Sequence, residues 1–281
     1  MNSDYCRSQS RAFLYHQNLA TFKWLAHGFS LRSSPQGGSE QSFGFNGYQS
    51  QERVQRNRLH FVQSVLASSR AGSCESATID PGETENPRLI VLRQCHSDVI
   101  HTLTTRPPAE FSADGDGLVT DQPGLLLSVL TADCMPVLMV DIEKCLVAAV
   151  HAGWRGTLKR IVEQTLATMR GQFASNPENC IAVIGPAIRG CCYEVGEEVI
   201  EAFHTEFEYA SELFQTRSSG KRSLDLPTAC RFQLLHAGVS VENVFSDPAC
   251  TSCNLDHFFS HRAEQGKTGR MISVIGILAE Q

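Results

Sequence analysis

The sequence contains no apolar run that approaches the length of a bilayer span, so a helical membrane protein is not expected. It also has no cluster of lysine and arginine, and its net charge is −6. A nucleic-acid surface is therefore not expected either, because phosphate backbones are held by grouped cations. The opening residues, MNSDYCRSQSRAF, have none of the apolar core of a secretory signal. The eleven cysteines are an odd number spread along the whole chain. Without an export signal they read as reduced thiols of a cytoplasmic protein, most of them small buried hydrophobes. Internal repeats are absent, and no linker divides the 281 residues, a length that one large domain can use.

What is present suggests an α+β chain. Residues 1–25 form a polar extension, partly disordered or helical, ahead of a single domain over 26–281. The Gly- and Ser-rich stretch 33–39 is a loop. The spacing of Val54, Leu59, Val62 and Leu66 predicts a helix over 50–67. A second loop, rich in Gly, Ser, Pro and acid, occupies 71–87. Short apolar runs at 89–92, 125–130, 137–140, 146–150, 180–184 and 271–278 read as buried strands of a mixed sheet. Flanking helices are predicted at 156–171 with Gly171 as a stop, at 195–207, and at 227–237 with Asp225 as cap.

Three of these strands end in a potential metal ligand: His96, Cys134 and His151. Cys134 and His151 lie seventeen residues apart, enough for one hairpin to return the chain to the same edge. Strand ends of neighbouring strands converge on crevices where ligands bind. Two imidazoles and a thiolate leave the fourth zinc position open, the pattern of a catalytic site. Such a zinc lowers the pKa of water from about 15.7 to about 7. At roughly 1.36 kcal/mol per unit, this stabilises hydroxide by about 12 kcal/mol. Spacing alone makes no specific motif of the three, and a core thiol with two ordinary histidines is the plainer interpretation. Cys134 as nucleophile with His151 as base fits the same pattern. The surrounding turn, His151-Ala-Gly-Trp-Arg-Gly156, favours a site: its glycines allow close backbone approach, and Arg155 is suited to a phosphate or carboxylate. Trp154 reads as a core aromatic. The Cys191-Cys192 pair and the isolated Cys250-x-x-Cys253 are read as ordinary thiols.

Several blocks carry a resemblance. Gln94-Cys-His96, Asp116-Gly-Leu-Val-Thr120, Thr131-Ala-Asp-Cys-Met-Pro-Val-Leu138, His151-Ala-Gly-Trp-Arg-Gly156, Cys191-Cys-Tyr-Glu-Val-Gly196, Phe258-Phe-Ser-His-Arg262 and Thr268-Gly-Arg270 occur in that order. The chain resembles the YfiH-like proteins, also described as the multicopper polyphenol oxidase (laccase) family or as peptidoglycan editing factors. The resemblance implies a single domain akin to the catalytic domain of cytotoxic necrotizing factor. It implies a metal, usually zinc with copper possible, on His96, Cys134 and His151. It also implies purine nucleosides and phosphate as substrates: phosphorolysis of adenosine, inosine, guanosine and methylthioadenosine, with adenosine deamination. Arg32, Arg155 and Arg270 are then the candidate phosphate or substrate ligands. Three positions depart from the common pattern. Cys95 replaces a Val and adds a thiol beside the metal that could favour copper, His261 replaces a Tyr, and Gly44 replaces an Asn.

Competing functions remain on the residues alone. A His2Cys set is what blue copper uses, but a laccase needs many more histidine ligands, and the ten histidines include no His-x-His pair. A cysteine hydrolase or amidase acting on a peptidoglycan precursor, and a non-catalytic binding partner, are the other readings.

Overall fold

The apolar runs at 125–130, 137–140 and 146–150 are strands whose two faces are both covered, which is why their sequences show no polar alternation. In the computed structural model, which describes residues 5–6, 13–33, 39–70, 87–218 and 220–279, the chain opens with strands β1 (Tyr5–Cys6) and β2 (Phe13–His16), helix α1 (Gln17–Ala20) and β3 (Leu25–Ser30). Helix α2 spans Gln51–Arg70. Strands β4 (Arg88–Val91), β5 (Ile100–Leu103), β6 (Gly117–Thr120), β7 (Leu125–Thr131), β8 (Met135–Asp141) and β9 (Leu146–Ala152) follow. Helices α3 (Trp154–Leu158) and α4 (Ile161–Phe173) lead to β10 (Cys180–Ile184) and α5 (Glu197–Glu206). The remainder is β11 (Phe214–Thr216), β12 (Arg222–Leu224), α6 (Leu226–His236), β13 (Val244–Ser246) and β14 (Met271–Ile277). Most of the expected loops at 33–39 and 71–87 lies outside the described residues.

The strands form not one mixed sheet but two of six strands each, ordered β1-β2-β3-β14-β7-β4 and β13-β10-β8-β9-β6-β5, with a separate β11-β12 ribbon. Both are mixed: β4 with β7, β5 with β6 and β10 with β13 run parallel, and the other pairs antiparallel. The sheets face each other across a core that includes Phe29, Leu127, Leu138, Val147 and Ile275. The second sheet's other face packs under α4, α5 and α6 through Val137, Met139, Ile161, Leu166, Phe203 and Leu234. Helix α2 covers the other face of the first sheet with Phe61, Val62 and Val65. On β8 this is a strict period of two, Val137 and Met139 facing the helices, Leu138 and Val140 facing the opposite sheet. Burying one such side chain completely contributes about 1.5–3 kcal/mol, so side chains mounted at the ends of β8 and β9 rest on a stiff support.

Four local expectations are corrected. Phe13–His16 in the polar extension is a strand, and Phe13 and Leu14 pair with β3. Leu59 is 53 % exposed, because the buried stripe of α2 runs through Val54, Phe61, Val62, Val65 and Leu66. The helix expected at 156–171 is two helices, broken where Arg160 takes a left-handed conformation (φ 59°) and its guanidinium bridges Glu163 and Glu206. Gly171 does not stop the second of them, which ends at Ala174, also left-handed. Asp225 caps α6 by accepting the Thr228 N–H at 3.3 Å. Among the described residues no helix is long and apolar enough to cross a membrane.

Candidate metal centre and cavity

The hairpin of β8 and β9 places Pro136 opposite His151, so Cys134, just before β8, and His151, near the end of β9, share one end of the second sheet. His96 arrives from the segment between β4 and β5. The ligand atoms of the three lie within 4.8 Å of one another. Cys134 Sγ is 3.8 Å from His96 Nε2, and the two imidazole rings meet edge to face at 4.9 Å.

A buried carboxylate ties this group together. Asp116, immediately before β6, accepts from His151 Nδ1 through Oδ1 at 2.7 Å, leaving Nε2 as the imidazole's free ligand atom. The same Oδ1 accepts the His96 N–H at 3.1 Å. Its Oδ2 accepts the Ser97 N–H and Oγ–H, both at 2.6 Å, and the Cys95 N–H at 3.3 Å. His96 is one of few non-glycine residues with a left-handed backbone (φ 58°), and the converging amides hold that conformation. One carboxylate thus orients one ligand and anchors the loop that carries another.

Burial pushes the Cys134 thiol up, but the facing His151 and His96 outweigh it and hold the thiol at about 6. Burial pushes His151 down, and the opposed sulfur and Asp116 outweigh it, raising the imidazole to about 9. In metal-free protein the pair is therefore thiolate and imidazolium near neutrality. Alkylation of Cys134 in chelator-treated protein is expected to rise with pH around a midpoint near 6, well below the ~8.5 of an ordinary thiol. Mass spectrometry of the labelled peptide against pH checks this, and a midpoint above 8 contradicts it.

The three candidate ligands lie in the wall of a cavity of about 560 Å³, within the roughly 300–1,000 Å³ range of small-molecule sites. Trp154 and Tyr193 are half-buried, pack on the helix-side core and also line the cavity. Burial keeps the Tyr193 hydroxyl protonated far above neutrality. Arg155, Arg262 and Arg270 line the cavity too. Arg155 lies over the Trp154 ring at 4.4 Å, and Arg262 over Tyr193 at 5.0 Å while donating to Glu194 O. Arg270 donates to the Thr268 and Gly269 carbonyls. None of the three forms an ion pair among the described residues. Arg32 is placed differently: it pairs with Glu40 at 2.6 Å and Glu264 at 2.9 Å, stacks on Phe259, and is not in the cavity lining. Its charge is already matched. Sequence reasoning therefore missed Asp116, Tyr193 and Arg262, although each sits in a quoted block. The available signal was the position of Asp116 at the start of an apolar strand.

The family described as "Multi-copper polyphenol oxidoreductase laccase" matches residues 32–278. The chain belongs to this laccase-like YfiH family. A purine nucleoside phosphorylase of Bacteroides thetaiotaomicron is 33 % identical over 277 residues, covering 96 % of this chain and 98 % of that one. Adenosine deaminase RL5, from an unknown prokaryotic organism, is 36 % identical over 195 residues, 66 % of this chain and 74 % of its own. The crystal structure of the Bacillus licheniformis hypothetical protein YfiH superposes with a TM-score of 0.83 at 29 % identity, over 98 % of this chain and 99 % of that one.

The three positions at which the resemblance implies a departure are placed differently. Gly44 and His261 line the cavity. A Cβ on Gly44 would stand 2.8 Å from Arg270 Cγ, so the glycine makes room for the arginine stem. The Cys95 thiol faces Asp116 Oδ2 at 3.7 Å, close to the site but not among the converging donors.

Proposed function

We propose that the chain is a zinc-dependent cytoplasmic enzyme of purine nucleosides. It splits the glycosidic bond of adenosine, inosine, guanosine or methylthioadenosine with inorganic phosphate, and it deaminates adenosine. The observation that carries this reading is a cavity that joins a His2Cys donor set to three guanidinium groups without carboxylate partners. The donors suit zinc: two imidazoles and one thiolate within reach of one ion, one imidazole fixed by a carboxylate, and room for a fourth ligand. His96, Cys134 and His151 would hold it, and when bound it supplies Lewis acidity toward an oxygen ligand.

The chain's own residues account for the rest. Arg155 and Arg270, with Arg262, hold the phosphate dianion beside the ribose by charge-assisted hydrogen bonds. Trp154 and Tyr193 offer aromatic surface to the base, and the protonated Tyr193 hydroxyl donates to a sugar or base acceptor. In phosphorolysis a phosphate oxygen bonds to C1′ as the bond from C1′ to the base nitrogen breaks, and the purine leaves with a proton. In deamination water adds at C6 and ammonia leaves.

Protein purified without chelator and assayed with adenosine, with and without phosphate, tests this directly. Zinc on the wild-type chain, with adenine, inosine or hypoxanthine formed and lost in Cys134→Ala, supports it. Arg155→Ala is expected to raise the KM for phosphate by about 10- to 100-fold, the worth of a hydrogen bond to a charged group, while leaving deamination unchanged. An unaltered phosphate dependence removes Arg155 from the phosphate site.

One observation favours a second reading. The order Cys134, His151, Asp116 is also that of a nucleophile, a base and an orienting acid, as a hydrolase or amidase acting on a peptidoglycan precursor would use. Activity that survives chelation and metal removal would move this reading ahead. Copper in place of zinc, with phenol oxidation and no purine turnover, would favour the laccase reading.

A further inference from the structure

Outside this cavity the described residues hold one other convergence of metal-ligating side chains. Cys191 and Cys192 come from the turn after β10, and Cys250 and Cys253 from the turn after β13. The sequence gives no reason to join them, since about sixty residues separate the pairs. The fold does join them. Strands β10 and β13 are parallel neighbours, so their following turns leave the same edge. A bridge between Ala187 and Cys250 and a hydrogen bond from Thr251 N to Ala187 O at 3.1 Å continue the pairing beyond the strands.

We propose that Cys191, Cys192, Cys250 and Cys253 form a second metal site, a closed four-thiolate centre for a zinc ion that fastens together two loops framing the cavity. All four sulfurs lie within 4.8 Å of one another; Cys253 Sγ is 3.5 Å from Cys191 Sγ and 3.2 Å from Cys192 Sγ. A tetrahedron with metal–sulfur bonds of about 2.3 Å has sulfur–sulfur edges of about 3.8 Å. The observed separations are near that value and well beyond the ~2.05 Å of a disulfide. Thiols are weak hydrogen-bonding groups, and four of them turned toward one point gain little from each other without a cation. The Arg189 N–H points at Cys250 Sγ at 3.4 Å, the kind of amide support that orients a thiolate ligand. Cys191 and Cys253 are exposed, which gives an ion a route in.

The two centres differ in chemistry. Three protein ligands at His96, Cys134 and His151 leave a position for reaction; four cysteines leave none, the pattern of a structural site. Binding exchanges four thiol protons for one divalent cation, with no change of oxidation state. Its consequence lies in what the two loops carry. The first brings Ile188 and Tyr193 to the cavity, and the second brings Arg262. The second loop is also tied to the residue beside Cys134: Thr251 Oγ donates to Asp133 Oδ1 and Arg262 N to Asp133 Oδ2, both at 2.7 Å. A cation at the four cysteines therefore positions cavity residues without touching substrate.

Metal content of the full chain, purified under reducing conditions without chelator, tests the proposal. Wild type is expected to hold two zinc ions, Cys134→Ala one, and Cys253→Ser one. Metal content in Cys253→Ser and Cys191→Ser equal to wild type overturns it. So does a denatured thiol titration of unreduced protein that finds these four cysteines paired as disulfides. If the serine variants fail to fold, cobalt-substituted Cys134→Ala decides. Strong thiolate-to-cobalt charge transfer, from a site that no longer has Cys134, supports the four-thiolate centre. Its absence overturns it.

Discussion

Asp116→Asn is expected to weaken the proposed zinc binding by about 10- to 100-fold, the usual cost of losing an orienting partner behind a metal ligand. The carboxylate is fully buried and accepts from His151, His96, Ser97 and Cys95 at once. Burial pushes its pKa up, but His151 and the Ser97 donors outweigh this and hold it far below the usual carboxylate range. An amide of the same shape keeps one acceptor and turns an NH2 toward groups that are themselves donors. The unpaired donors cost about 1–3 kcal/mol, so a loss of stability should accompany the loss of metal. A carboxyl depressed in the folded state contributes stability that is complete above its unfolded pKa, near 3.9. That contribution is lost only as pH falls through the lower native value. Wild type should therefore lose this contribution in acid, and the variant should lack it at neutral pH. Competition titration with a zinc chelator and urea unfolding are the measurements. Metal affinity within twofold of wild type would show that Asp116 does not orient the ligands.

Gly153→Ala is expected to strip the metal while leaving the fold in place. Gly153 has an ordinary extended backbone (φ −82°), so alanine meets no conformational penalty there. Its methyl, however, would stand 3.0 Å from Cys134 Sγ and 3.0 Å from His96 Cδ2. It would wedge two of the three donors apart. Overpacking of this kind costs about 1–3 kcal/mol, which at 1.4 kcal/mol per tenfold corresponds to a loss of roughly 10- to 100-fold in metal affinity. Gly156→Ala is the control, since its methyl would meet Ser97 O at 3.3 Å, Ile161 Cγ2 at 3.4 Å and His151 O at 3.7 Å, and none of the three donor atoms. Zinc content and turnover of the two variants, with melting temperatures alongside, measure the effect. Gly153→Ala with full zinc and wild-type turnover would refute it.

The long apolar strands were legible because burial on both faces leaves a continuous hydrophobic run. Strand β2 was not, because four residues between polar neighbours carry no period. The division into two sheets was hidden as well. Leu138 and Val137 look alike in sequence, and only the fold decides which faces the helices and which the opposite sheet. Arg160 shows a different limit, since a good helix former that adopts a left-handed conformation leaves no mark on the helical pattern. At the site, residue type pointed to His96, Cys134 and His151, which the fold brings together, and to Arg155, which lines the same cavity. Arg32 was not separable from Arg262, because what neutralises Arg32 includes Glu264, more than two hundred residues away. Asp116 acts only through contacts that exist once β6 lies beside β9.

The three donors are not mounted alike, and that asymmetry would govern how a bound ion is exchanged. Cys134 and His151 stand at the end of a hairpin in the middle of a buried sheet, where opening demands most of the global unfolding free energy. His96 stands on a short irregular segment whose backbone amides are gathered by a single side chain. The centre is thus a chelate with two fixed arms and one hinged arm. An ion held there would be expected to leave by way of His96, with an off-rate that follows hydrogen exchange at residues 95–97 and not the unfolding of either sheet.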